Sequence, residues 1–274
     1  MQKSDTPIIK DLVLIGGGHS HVAVLKRFGM KPLPGVRLTL ICRDAHTPYS
    51  GMLPGYVAGH YTYDEAHIDL GALARFANAR FYHSTVMGLD LREKHVICDD
   101  RPPVPFELLS INTGSTPNTS GVPGALGNVV PVKPINNFLD RWEALSARAM
   151  AHEGPLRIAV VGAGAGGVEI LLAIQHRLGE LRVAAGKSAD NIAFHLFSNT
   201  AEILPTHNVA VRRTFTSVLR RRGVNLHLGA PVIEITPGLL KTGEDLDVAA
   251  DEILWVTAAG APAWPGQAGL DVDD

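Results

Sequence analysis

Cysteine is scarce in this chain: Cys42 and Cys98 are the only two among 274 residues. That count excludes a disulfide-stapled secreted scaffold and leads us to expect a reducing compartment, the cytoplasm. Charge imbalance is missing too. Lys and Arg number 25 against 27 Asp and Glu, a formal net charge of −2, so nothing draws the chain to nucleic acid or to an acidic membrane surface. The one basic run, Arg220-Arg221-Arg222, precedes Gly223 and reads as the last turn of a helix, where cations suit the dipole. No apolar run approaches a membrane span, and no signal peptide precedes the first strand. Histidine is plentiful at twelve, but His19 and His21 are two apart, and His60 and His67 have no cysteine or carboxylate at ligand spacing; no metal site is expected.

What the chain has is glycine in two telling places. Arg157-Ile158-Ala159-Val160-Val161 is a β-branched apolar run, and Gly162-Ala163-Gly164-Ala165-Gly166-Gly167 follows it. Val168-Glu169-Ile170-Leu171-Leu172-Ala173-Ile174 then reads as a helix. Strand, Gly-x-Gly-x-x-Gly, helix is the dinucleotide fingerprint. Its glycines give a tight turn, close backbone approach to a pyrophosphate and close helix–strand packing. The helix N-terminus offers free N–H groups and the positive end of its dipole. A second copy opens the chain: Leu12-Val13-Leu14-Ile15 runs into Gly16-Gly17-Gly18-His19-Ser20-His21. Here Gly16 and Gly18 match, and His21 stands where the third glycine belongs. The expected role of His21 is packing; His19 is a candidate phosphate or ribose contact.

The expected organisation is α/β. Strands are predicted at Ile8–Ile15, Val36–Ile41, Leu108–Asn112, Arg157–Val161, Ile192–Phe197 and over 252–257, with short strands in 81–98 and in 224–235. Helices are predicted at His19–Gly29, Leu70–Asn78, Asn136–His152, Val168–Ile174 and Val209–Arg222. Residues 47–59 and 118–134, rich in Gly and Pro, read as loop and connector. The strand ending in Thr113-Gly114 is echoed by the one reaching Ala259-Gly260, so fingerprint and strand-terminal glycine both recur in the same order. That is an internal repeat at domain scale.

Gly16 to Ser20, Thr113-Gly114-Ser115, Gly162 to Glu169 and Ala259-Gly260 together resemble the FAD/NAD(P)-binding pyridine nucleotide–disulfide oxidoreductase superfamily. Shorter runs are similar to the flavoprotein module often fused to selenide, water dikinase: Gly16 to Val22, Thr47 to Gly55, Ala58 to Tyr61 and Val132-Lys133-Pro134. The resemblance implies two Rossmann-like units, the second inserted in the first: an FAD domain of 1–120 plus 255–274, and an NAD(P)H domain of 121–254. It implies a hydride path from NAD(P)H to flavin and on to a small-molecule electron acceptor, whether quinone, small oxidant or selenium species. A partnership with selenide, water dikinase and an oligomer are left open.

Three departures qualify this. The acid that superfamily members place after the second strand of the FAD unit is replaced by Cys42, followed by Arg43 and Asp44. In the NAD(P)H unit it is replaced by Ser198, with Glu202 nearby and no arginine following to claim a 2′-phosphate, so weak discrimination between NADH and NADPH is expected. The Gly-Asp motif that contacts the flavin ribityl chain, and a C-terminal domain, would lie past Asp274, so the chain reads as a fragment.

Candidate flavin neighbours are Pro48, Ser50 and Lys133. Disulfide-reducing relatives carry a redox cysteine near Ser50, and a serine hydroxyl supplies no thiolate. The loop around Ser50 is equally readable as a rigid turn, and Lys133 as a solvated connector residue. The residues thus favour an FAD-dependent NAD(P)H oxidoreductase. The alternatives are a non-catalytic nucleotide-binding or sensor module and, third, a thiol–disulfide reductase.

Overall fold

The computed structural model describes residues 7–273 except 118, 120, 244, 245 and 258. Two compact units emerge. The first runs to Tyr49 and adds Asp64–Gly114 and the segment from Ala261; the second joins Ser50–Tyr63 to Ser115–Gly260.

In the first unit, β1 (Lys10–Ile15), α1 (His19–Met30), β2 (Val36–Cys42), α2 (Leu70–Phe76), β3 (Arg80–His83) and β4 (Leu108–Ile111) build a parallel sheet of order β3-β2-β1-β4. The continuous apolar run of β1 follows from burial on both faces. Val13 and Ile15 face a three-stranded antiparallel sheet (Val86–Asp90, His95–Cys98, Val104–Pro105) and pack with Val96 and Val104. Leu14 faces the other way, among Leu25 of α1 and Leu70 of α2.

The second unit repeats the plan. Its elements are β5 (Val130–Pro131), α3 (Ile135–Ala151), β6 (Leu156–Val161), α4 (Ala165–Ala184), β7 (Ile192–Phe197), α5 (Val209–Arg221), β8 (Asn225–His227) and β9 (Glu252–Trp255). The parallel order is β5-β9-β6-β7-β8. Ile158 and Val160 meet α3 and α4; Ala159 and Val161 meet Ile235, Leu240 and Val248 of a second antiparallel sheet (Val232–Thr236, Leu239–Thr242, Asp247–Ala249). The stripe Phe138, Leu139, Trp142, Leu145 and Ala149 buries one face of α3. Arg182 of α4 is 2% exposed. Its guanidinium donates to Ala149 O, at the negative end of α3, at 3.0 Å and to Ser188 O at 2.7 Å, and these carbonyls take up its charge.

β1 lies between β2 and β4, and β6 between β7 and β9. Strand order reverses at both, and a crevice for ligand is expected at their carboxyl ends. Both fingerprints sit there.

Several expected elements differ. Residues 47–59 are structured: His46–Pro48 pairs with His67–Asp69, a 3₁₀ turn covers Ser50–Met52, and a helix spans Leu53–Val57. Proline is well tolerated in the first turn of that helix, and Leu53 and Val57, four apart, enter the second unit's core. The connector 118–134 holds β5 and a turn at Ala125–Asn128 whose central Leu126 and Gly127 leave helical geometry, apart from residues 118 and 120, which lie outside the described set. Helix α4 continues past Ile174 to Ala184, carrying Gly179 without a break. The stretch 224–235 divides between the parallel sheet (β8) and the antiparallel one (Val232–Thr236). Among the described residues, no helix is long and apolar enough to cross a membrane.

Candidate functional site: two dinucleotide cradles

In the second unit each fingerprint glycine has its own physical reason. Gly162 adopts φ +116°, and a Cβ there would lie 2.4 Å from Val256 O. A Cβ on Gly167 would lie 1.7 Å from Gly162 O. Both are demanded by the protein's own packing. Gly164 is not. Its φ of −71° suits any residue, and a Cβ would meet nothing within 4 Å among the described residues. The space in front of Gly164 is open, and Gly164 is the N-cap of α4, with no described side chain capping the first-turn N–H groups. By contrast, Asn208 caps α5 through a 3.0 Å bond to Val211 N–H. An uncapped helix end facing open space fits an anionic pyrophosphate.

The first unit builds the turn differently. Gly16 has φ +91°, and its Cβ would fall 2.3 Å from Asn112 O. A Cβ on Gly17 would lie 2.4 Å from Leu70, and one on Gly18 2.3 Å from the Asn112 carboxamide. Gly18 is the N-cap of α1, again without a side-chain cap bond among the described residues, and His19 and Ser20 open the helix, both exposed. His19 lies edge-on to Tyr49, with centroids 5.0 Å apart. His21, expected only to pack, is 1% exposed and holds the loop. Its Nδ1 lies 2.7 Å from Gly16 O and its Nε2 2.9 Å from Ser110 Oγ. A carbonyl only accepts, so Nδ1 carries the proton and Ser110 donates to Nε2. Burial lowers the pKa of His21, with the bond to Gly16 opposing. The signal missed in the sequence was Ser110, two residues before the strand-end Asn112.

The two strand-end positions are also defined. Cys42 closes β2 with its thiol beside Gly17; burial pushes its pKa up, as it does that of Cys98, so both resting groups are thiols. Arg43 pairs with Asp44 at 2.9 Å. Ser198, just past β7, is buried, and its hydroxyl is engaged by Thr200: Oγ to Oγ1 2.8 Å, and Thr200 N–H to Oγ 3.2 Å. Glu202 pairs with Arg212 of α5. No arginine stands beside Ser198 in sequence; the fold brings Arg212 of the next helix to Glu202, four residues on.

The remaining candidates scatter. Thr113 and Gly114 follow β4; Gly114 has φ +79°, and a Cβ there would meet nothing within 4 Å among the described residues. Glu169 is exposed on α4. Gly260 pairs with Thr116 in a two-residue antiparallel ladder that also includes Ala259, whereas Ala258, part of the same expected motif, is outside the described residues. Pro48 belongs to the first unit and Ser50 to the second, so these sequence neighbours fall in different units. Ser50 is exposed. Lys133, within the second unit, donates from Nζ to Ser115 Oγ at 3.0 Å rather than standing free.

Comparison with known proteins agrees with this architecture. The chain is 26% identical over 255 residues to the NADH dehydrogenase-like protein YutJ of Bacillus subtilis, covering 90% of this chain and 64% of that protein. It is 20% identical over 232 residues to a type II NADH:quinone oxidoreductase of Staphylococcus aureus, covering 82% of this chain and 58% of the other. NDH2 from Plasmodium falciparum, solved in complex with NADH, superposes with a TM-score of 0.83 at 16% identity, over 95% of this chain and 59% of that one. This chain thus spans about three-fifths of the length of the relatives it matches. Residues 10–273 match the family described as pyridine nucleotide-disulphide oxidoreductase, and with two cradles at two topological switch points the chain belongs to that family.

Proposed function

We propose that the protein is an FAD-dependent NAD(P)H oxidoreductase, with FAD held by the first unit and NAD(P)H by the second. The observation that carries this is Gly164: a glycine the fold does not need, at an uncapped helix end, with open space before it. The type II NADH:quinone oxidoreductase and the NADH-bound NDH2 among its relatives support the same reading. Flavin, when bound, supplies the hydride-accepting chemistry. The chain's own part is to bind and orient. Gly164 and the first turn of α4 would receive the NAD(P)H pyrophosphate. Gly18, the first turn of α1 and the loop held by His21 would receive that of FAD. Ser50 in place of a redox cysteine, and two thiols of raised pKa, favour direct transfer over thiol–disulfide exchange. The acceptor is a small molecule: a quinone, a small oxidant or a selenium species, the last from the similarity to the module fused to selenide, water dikinase, which is also the proposed partner. Two free cysteines suit a cytoplasmic setting.

The test is Gly164→Val in the whole protein. Because a Cβ there meets nothing within 4 Å among the described residues, the variant should fold and keep its yellow flavin bands. NAD(P)H binding and NAD(P)H-dependent bleaching of those bands should be lost. Purified wild-type protein without flavin, or a variant that still binds NAD(P)H, would count against the proposal.

A further inference from the structure

Past Phe197, at the end of β7, the second unit turns back onto its fingerprint. The Leu204 N–H donates to Ala163 O at 2.8 Å, and Ala163 stands between Gly162 and Gly164. Residues 198–204 therefore border the cradle on the side where a doubly wound unit reads the adenosine ribose. Ser198 is engaged by Thr200, and the Thr200 hydroxyl in turn donates to Glu202 O at 2.7 Å. Two charged side chains remain at this loop, Glu202 and Arg212, joined as an ion pair from Nη1 to Oε2. Glu202 is 60% exposed and Arg212 24%. Arg212 Nε is buried and has no hydrogen-bond partner among the described residues. An orphaned guanidinium N–H is costly unless something else satisfies it, and its ion-pair partner Glu202 lies within the loop that borders the cradle.

We propose that the Glu202–Arg212 pair sets the choice between NADH and NADPH. This rests on the second unit being the NAD(P)H site. A ribose 2′-hydroxyl is recognised by donating to a carboxylate; a 2′-phosphate is recognised by the guanidinium fork. The pair contains both readers, each neutralising the other. The protein therefore binds both cofactors with little discrimination, and breaking the pair from either side exposes the opposite preference.

The experiment is equilibrium binding of NADH and NADPH to the whole protein, as wild type, Glu202→Gln and Arg212→Met. A pair this exposed on one side adds little to stability, and thermal melts check that both variants fold. Glu202→Gln should shift the affinity ratio toward NADPH by about tenfold, the worth of one charge-assisted hydrogen bond, and the shift should shrink with added salt. Arg212→Met should shift it about as far toward NADH. Arg212→Lys keeps the charge but loses the fork, and should move the ratio less than Arg212→Met; it stands in if the methionine variant does not fold. Unchanged ratios, or shifts in the same direction from both sides of the pair, overturn the proposal. A wild-type protein that binds neither nucleotide overturns the dinucleotide reading, and this inference with it.

Discussion

The two cradles answer one geometric problem in opposite ways. Each needs the carbonyl of its first glycine to point at the start of the following helix. In the second unit α4 comes so close that position 167 tolerates no side chain; a Cβ would sit 1.7 Å from Gly162 O. In the first unit the matching position holds His21, whose ring reaches Gly16 O with a 2.7 Å bond. Real Cβ atoms do not approach an oxygen so closely, so the first turn must be wider and the imidazole fills it. One unit closes its loop by packing, the other by a hydrogen-bonded plug. The difference shows why a fingerprint can lose its third glycine and keep its shape. The fold requires that the first-glycine carbonyl be met, and a neutral histidine meets it.

The sharpest way to break this comparison is to exchange the solutions. Gly167→His should be the most damaging single substitution in either cradle. Nothing in the second unit can open by the needed ångström without parting α4 from β6, whose contacts are the centre of that core. A loss of more than about 3 kcal/mol is expected, with NAD(P)H binding gone. The reverse exchange, His21→Gly, removes one buried and one part-buried hydrogen bond and leaves a void, costing about 2–3 kcal/mol in the first unit. Thermal unfolding of both variants measures this. A Gly167→His protein as stable as wild type would show the two turns to be interchangeable.

The units also differ in how they hold an interior cation. Arg182 is fully buried with carbonyl partners alone among the described residues, whereas Arg37 of the first unit bonds Asp11 with side chains 29% and 15% exposed. Arg182→Met strands carbonyls of Ala149 and Ser188 and should cost about 2–3 kcal/mol. Arg37→Met, at a partly solvated pair, should cost no more than about 1 kcal/mol. Urea melts of the two variants decide it, and equal losses would refute the distinction between buried and solvated cations.

Much of this was legible in the sequence for a plain reason. Both fingerprints, all the strands of the parallel sheets except β3, β5 and β8 as separate elements, and the long helices rest on short-range periodicity, which burial on two faces writes directly into runs such as Leu12-Val13-Leu14-Ile15. What was not legible depends on contacts between distant residues. The meeting of His21 with Ser110 spans 89 positions. Arg212 reaches Glu202 only once α5 has folded back. The helix Leu53–Val57 was hidden by its glycine and its proline, because tertiary burial of Leu53 and Val57 outweighs their poor propensity. Ser198 looked available because a sequence does not show that Thr200 has already taken its hydroxyl.

The smallest expected effect is a difference in acid sensitivity. His21 is the buried histidine of the first cradle, and its pKa lies below the ordinary 6.5 because burial disfavours its charged form. In the second unit, His195 Nδ1 and His227 Nε2 lie 3.0 Å apart, their rings stacked. Burial lowers both, and His195 is lowered further by His227 and Arg157. Above about pH 6.5 the folded and unfolded chains both carry these rings neutral, and stability does not depend on them. Below it, the unfolded chain takes up protons that the folded chain refuses, so stability falls with pH until each depressed pKa is passed. Among the described residues, one such ring lies in the first unit and two lie in the second. The second unit should therefore lose protection more steeply as the pH falls below the unshifted value of about 6.5. Hydrogen exchange followed separately in β1 and β7 reads the two slopes. His195→Asn should flatten the slope in β7 and leave that in β1 unchanged. A β7 slope no steeper than that of β1, or one untouched by His195→Asn, would remove the histidine pair as its cause.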